Sequence, residues 1–216
     1  MEVGDSIDMN DKVALVGIAK DEDNYIDEWI DYNLKLGFDD IFIYQNNGRA
    51  KLKRPNEHVH LLEFDGMLVK QVDSYNKWID EHYNEFHWAA FFDIDEFLLL
   101  KNGMHNVHEL VKKYNDLHAI KIFWRLFGDS NLKKVVDNNY SVIDRFICSA
   151  RTLSTTPKTM INLAISKNMN KISAHICKPN EPIAINDADA EIAHYIVKTE
   201  EEYIKRKFNC RTLDTD

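Results

Sequence analysis

Trp88-Ala-Ala-Phe-Phe-Asp-Ile-Asp-Glu-Phe-Leu-Leu-Leu100 decides the reading of this chain. Five apolar residues run directly into three acids, and a second apolar run follows at Phe97. The first run is short and aromatic, which predicts a buried strand. Acids wedged between two buried segments lose hydration unless a cation or hydrogen-bond donors compensate them. On an extended segment alternate residues point the same way, so Asp93 and Asp95 can address one ligand. Two carboxylates of this kind suit Mg²⁺ or Mn²⁺ bridging a diphosphate. The plainer reading is a solvated strand end whose acids cap turns. Three more D-x-D triplets occur, at Asp21-Glu-Asp23, Asp187-Ala-Asp189 and Asp214-Thr-Asp216, but none lies between runs as apolar as these.

Working outward, the first half alternates strand and helix patterns. Val13 to Ala19 and Ile41 to Tyr44 read as strands, and Val59 to Phe64 as a third. Between the first two, Tyr25, Ile26, Trp29, Ile30, Leu34 and Leu36 keep a helical period, with Asn24 as the expected cap and Gly37 as the stop. A second helix is expected from about 69 to 83. Strand–helix–strand repetition with short connections predicts an α/β fold, a mostly parallel mixed sheet flanked by helices. In such sheets ligands bind beyond the carboxyl ends of the strands. Lys20 to Asp23, Gln45 to Asn47 and Asp93 to Glu96 then meet at one edge. The second half is less regular: helix at 107–114, strand at 119–127, a helical stretch at 143–147, strand at 160–165, and a final helix at 199–208 capped by Thr199.

Composition fits one globular domain. The chain has 216 residues, 44% hydrophobic and 29% charged, with only 7 Gly and 4 Pro and no linker-like stretch. Residues 1–216 are therefore read as a single domain, with a nucleotide-sugar half at about 12–100 and an acceptor half at about 101–208. Lys and Arg total 27 against 36 Asp and Glu, a formal charge of −9, so no nucleic-acid partner is expected. Cys148, Cys177 and Cys210 form no C-x-x-C pair and are read as reduced thiols. No signal peptide or membrane span is visible, and a cytoplasmic location is expected.

Three segments resemble GT-A-fold glycosyltransferases of the family-2-like group related to family 92. They are Lys20-Asp-Glu-Asp-Asn-Tyr-Ile-Asp-Glu-Trp-Ile-Asp-Tyr32 with Leu36-Gly-Phe38, then Trp88 to Leu98, then Ala193-His-Tyr195 with Glu201-Glu-Tyr-Ile-Lys205. The resemblance implies metal-dependent transfer, with inversion, from a nucleotide-sugar, a UDP-sugar first, to a glycan or lipid-linked acceptor in bacterial surface polysaccharide synthesis. It implies a divalent metal, Mn²⁺ or Mg²⁺, on Asp93, Asp95 and His194. It implies nucleotide contacts at Ala19, Lys20, Glu22, Asn46, Gln71, Tyr75, Asp93 and Ile94. Asp129, ending the Trp124-Arg-Leu-Phe-Gly-Asp segment, is the first candidate for the catalytic base and Glu96 the second. Peripheral contact with the inner face of the membrane is part of the same expectation. So is a chain cut short after Asp216, since such proteins often continue past the His-Tyr helix.

Residue by residue other readings stand. Tyr75 suits the core equally, Asp129 suits a turn, and His194 suits a half-buried strand. Lys158 and Arg151 flank Thr155-Thr-Pro157, where either can pair with phosphate or stay solvated. His58 with His60, and His105 with His108, read as surface or packing residues. Phe92 to Asp95 also resembles the nucleophile segment of haloacid-dehalogenase-like phosphatases, which would make Asp93 the nucleophile. A catalytically inactive nucleotide- or sugar-binding module is the non-enzyme alternative.

Overall fold

The computed structural model describes residues 11–20, 22–45, 52, 56–63, 71–135, 141–166 and 183–209. In chain order the elements are β1 (Val13–Ala19), α1 (Ile26–Leu36), β2 (Asp40–Gln45), β3 (Val59–Glu63), α2 (Gln71–His82), β4 (Trp88–Phe91) and β5 (Glu96–Leu100). Then come α3 (Val107–Lys113), β6 (Ala119–Leu126), α4 (Val142–Arg145), β7 (Pro157–Asn162), β8 (Ile183–Asn186), β9 (Ala190–His194) and α5 (Glu200–Asn209).

All nine strands join one sheet in the order β3-β2-β1-β4-β7-β6-β9-β5, with β8 also beside β6. The first four neighbours are parallel, so the ends of β1, β2 and β4 share an edge as expected. The second half departs from a parallel sheet. β7 runs antiparallel to both β4 and β6, and β9 antiparallel to β5. β7 also starts earlier than its hydrophobicity indicated, at Pro157, and ends at Asn162.

β1 shows why its run is apolar throughout. Val13 and Leu15 pack on one face with Ile26, Trp29 and Ile30 of α1 and Val107 and Leu110 of α3. Ala14 and Val16 pack on the other with Tyr75 and Trp78 of α2. Helices thus cover both faces, the layering that positions ligands at a strand edge.

Helix α1 does not use Asn24 as its cap. Tyr25 takes that place without a side-chain bond, and the Glu22 carbonyl accepts from the Tyr25 and Ile26 amides instead. The expected stop holds: Gly37 has φ 99° and its amide closes onto the Asn33 and Leu34 carbonyls. A Cβ there would fall 2.3 Å from Asn106, the residue whose side chain caps α3. Gly37→Ala is therefore expected to cost about 1–3 kcal/mol in backbone strain alone. Urea unfolding would show it; a loss below 0.5 kcal/mol, to order of magnitude, would contradict the argument.

His58, His60 and His108 contact carboxylates away from the acidic edge. His60 and His58 both approach Asp40, at 3.1 and 3.6 Å, and His60 stacks on Phe42. His108 reaches Asp39 at 3.1 Å, which ties α3 to the entry of β1, since Asp39 also accepts from the Val13 amide.

Candidate active site

β4 ends at Phe91, and the chain turns within four residues into β5. The Glu96 amide bonds the Asp93 carbonyl at 3.0 Å, and the Glu96 carboxylate accepts from the Asp93 amide at 2.9 Å. This reversal presents Asp93 and Asp95 at the carboxyl edge of the parallel strands. β9 then lies antiparallel to β5 with Glu96 opposite His194, and the Tyr195 amide bonds the Asp95 carbonyl. Sheet register therefore brings His194 to Asp95 from about a hundred residues away in sequence.

The two side chains meet with His194 Nε2 3.5 Å from Asp95 Oδ1. Arg206, on α5, approaches Asp95 Oδ2 at 3.7 Å. Burial pushes the Asp95 carboxyl up, but the hydrogen bond and charge of His194, with Lys198 and Arg206, hold it well below the usual range. Burial likewise pulls the His194 imidazole down, and Asp95, with Glu96 and Asp93, more than reverses this. Among the described residues, His194 Nδ1 and Glu96 Oε1 are buried without a hydrogen-bond partner.

Asp93 is held from two sides. Lys158 Nζ lies 2.8 Å from Oδ2 and Gln71 Nε2 donates to Oδ1 at 2.6 Å. Lys158 also reaches Glu96 Oε2 at 3.4 Å. Glu96 is fully buried, and desolvation raises its carboxyl to about 8, against the pull of Lys158. It faces inward beneath Asp93, not outward where an acceptor hydroxyl would approach, so its position suits a holder of the turn and not the base expected of it.

The first strand end is closed by α5. Lys198, in the left-handed region at φ 55°, bonds Glu22 at 2.6 Å and lies 4.1 Å from the Tyr25 ring centre. Burial raises the Glu22 carboxyl, opposed mainly by Lys198. Tyr25 bonds Glu202, and Thr199 and Glu202 exchange capping bonds at the start of α5. Lys20 is half-buried at the same edge, while Ala19 is 5% exposed and Ile94 2%. Ile94 belongs to the core.

Tyr75 corrects an expectation: it is fully buried against Phe91, and its hydroxyl only accepts from Gln71. Its aromatic ring serves the core that its helical spacing equally predicted. Asp129 follows β6 and its carboxylate accepts from the Asn131 amide at 3.0 Å, a turn contact. The neighbouring Phe127 amide bonds the His194 carbonyl, which puts that turn beside the site. Asn46 lies outside the described residues.

Lys158 differs most from its sequence reading. It sits inside β7 with no exposed surface, because β7 begins at Pro157 and not after it. Lys198, Arg206, Tyr25 and Trp124, whose ring centre is 4.5 Å from that of His194, were not read as site residues. Lysine and arginine near a C-terminal helix carry no signal that distinguishes them from solvated charge.

Among the described residues no three His, Cys, Asp or Glu gather as ready metal ligands. Asp95 and His194 converge as a carboxylate–imidazole pair through Nε2, and the other nitrogen of the same ring, Nδ1, has no hydrogen-bond partner among the described residues. That pair fits a divalent cation completed by outside oxygens. Asp93 stands beside this pair, with Lys158 on one oxygen and Gln71 on the other.

The model of glycosyltransferase family 92 matches residues 75–214. That stretch contains the acidic turn and the His-Tyr segment and leaves out the strand–helix segment at 20–38. A family 92 protein of Ricinus communis is 23% identical over 136 residues, covering 57% of this chain and 24% of its own length. The chain thus spans about a quarter of the curated relative it matches. Among solved structures, S. aureus TarS 1-349 in complex with UDP-GlcNAc aligns at TM-score 0.50 and 12% identity, covering 88% of this chain and 60% of that one. The 4-diphosphocytidyl-2C-methyl-D-erythritol synthase of Anaerococcus prevotii aligns at 0.47 and 8% identity, over 92% of this chain and 96% of that one. The likeness to TarS is one of fold.

Proposed function

The chain belongs to glycosyltransferase family 92, and from that premise we propose that it transfers a sugar from a nucleotide-sugar to a hydroxyl. A UDP-sugar is the proposed donor, and a glycan or lipid-linked molecule the proposed acceptor, as in surface polysaccharide synthesis. The proposed setting is the cytoplasm at the inner face of a membrane; no described helix is long and apolar enough to cross one.

The observation that carries this reading is the convergence of Asp95 and His194 beside a fixed Asp93 at the carboxyl edge of the parallel strands. Asp95 and His194 would hold the divalent cation, which when bound supplies positive charge against a leaving diphosphate. Asp93, a third of its side chain exposed, would accept from donor hydroxyls. Lys198 and Arg206 bring two more cations to the edge where a diphosphate would lie. Asp129 is the proposed base: it would take the acceptor proton as the hydroxyl attacks, leaving the turn contact to Asn131. Inversion of the anomeric centre is part of the proposal. Family membership leaves the phosphatase reading of Asp93 without support.

Calorimetric titration of UDP, GDP, CDP and dTDP, each with and without Mn²⁺, tests it. Binding of one nucleotide that depends on Mn²⁺ is expected. Failure of all four to bind with Mn²⁺ would overturn the reading.

A further inference from the structure

We propose that Lys158 is a positioning residue for the donor site, acting through Asp93. The inference rests on the glycosyltransferase reading and extends it to a residue on an antiparallel strand beyond the acidic turn.

An ammonium group with no exposed surface loses its hydration and needs anionic partners within the protein. Lys158 has the Asp93 carboxylate at 2.8 Å, and the Glu96 carboxyl stands at 3.4 Å as a second oxygen partner. The two partners are themselves linked, because the Glu96 carboxylate accepts from the Asp93 amide. A closed ring results: Lys158 to the Asp93 carboxylate, Lys158 to the Glu96 carboxylate, and Glu96 back to the Asp93 backbone. Gln71 holds the remaining Asp93 oxygen from α2, and the Trp124 ring covers the ammonium at 5.9 Å. The ring fixes both the backbone and the side chain of Asp93.

The asymmetry of exposure shows which member meets a ligand. Lys158 and Glu96 are sealed, whereas a third of the Asp93 side chain remains open at the strand edge. A purely structural ion pair has no reason to leave one carboxylate open among the ligand-facing groups. A fixed acceptor needs such an arrangement, because its orientation must be set before the ligand arrives. Lys158 also satisfies an Asp93 oxygen that would otherwise turn toward a cation, so metal binding stays with Asp95 and His194.

A double-mutant cycle on UDP binding with Mn²⁺ tests this, using Lys158→Met, Asp93→Asn and the double variant. Each single variant is expected to bind UDP about 10–100-fold more weakly, the usual loss when an outer partner of a site is removed. The Mn²⁺ concentration for half-maximal binding should stay within about twofold of wild type, a readout that general loosening of the site would move. The double variant should bind no more weakly than Asp93→Asn alone. Wild-type affinity in folded Lys158→Met, or losses that multiply in the double variant, would overturn the proposal. Should Lys158→Met fail to fold, the double variant, which removes both charges of the closest pair, is compared with Asp93→Asn directly; a further loss of about tenfold overturns the proposal. Absence of UDP binding by the wild-type chain overturns the glycosyltransferase reading and this role together, whereas wild-type binding with an unaffected Lys158→Met overturns this role alone.

Discussion

An Asp95→Asn chain is expected to lose Mn²⁺-dependent UDP binding by about 100-fold or more while keeping its fold. The amide matches the carboxylate in shape, so the turn from Asp93 to Glu96 and the Asp95 carbonyl bond from the Tyr195 amide survive. What disappears is the charge. In the intact protein Asp95 is 7% exposed and kept ionised by His194, Lys198 and Arg206. A buried anion held ionised is a ready ligand for a hard cation, since no proton must leave first. Asparagine retains an oxygen but offers no net charge to offset the desolvation of a divalent ion. The loss should vanish when binding is measured without Mn²⁺, where both chains are expected to bind weakly and alike. Equal Mn²⁺-dependent affinity in the two chains would remove Asp95 from the metal site.

The acidic edge was legible because burial and charge conflict there in the sequence itself. Asp93 to Glu96 stands between two apolar runs, and a conflict of that kind needs a partner. Parallel pairing of β1, β2 and β4 followed from alternating strand and helix periods, and it placed the edge correctly. The second half was less legible because antiparallel strands there carry polar residues inward. Lys158, Asn162 and Glu191 are all buried in strands, and each breaks the apolar pattern by which a strand is recognised. Lys158 was misplaced for that reason: a lone lysine beside Thr-Thr-Pro reads as loop, and only the positions of Asp93 and Glu96 in space explain its burial. Arg206 reaches the site from α5 and Lys198 from the turn that precedes it, and sequence periodicity locates that helix but does not orient it. Tyr75 shows the opposite case, a helical residue at the right spacing for either the core or the site, which only packing decides.

Trp29→Ala is expected to have the largest effect on stability, about 3–5 kcal/mol from lost packing. Trp29 is fully buried on α1, and its indole N–H donates to the Glu96 carbonyl at 2.8 Å. Removing it leaves a cavity under the sheet and a buried carbonyl without its donor, which adds about 1–3 kcal/mol. The space it fills is set by Gly17: a Cβ there would sit 3.1 Å from both the indole ring and the Phe92 carbonyl. The glycine thus lets α1 press a ring directly beneath the strand that carries the acids. Trp29→Phe weights the comparison toward the second contribution, because it keeps a buried aromatic ring and deletes the donor. It should cost about 1–3 kcal/mol in urea unfolding, chiefly the orphaned carbonyl. Glu96 begins β5 and pins the Asp93 amide, so loosening its carbonyl loosens the acidic turn. UDP binding in the presence of Mn²⁺ should therefore weaken in Trp29→Phe even far below its unfolding midpoint. If that variant loses stability but binds as wild type does, the indole bond supports the core alone and the turn is held by Lys158 and Glu96 without it.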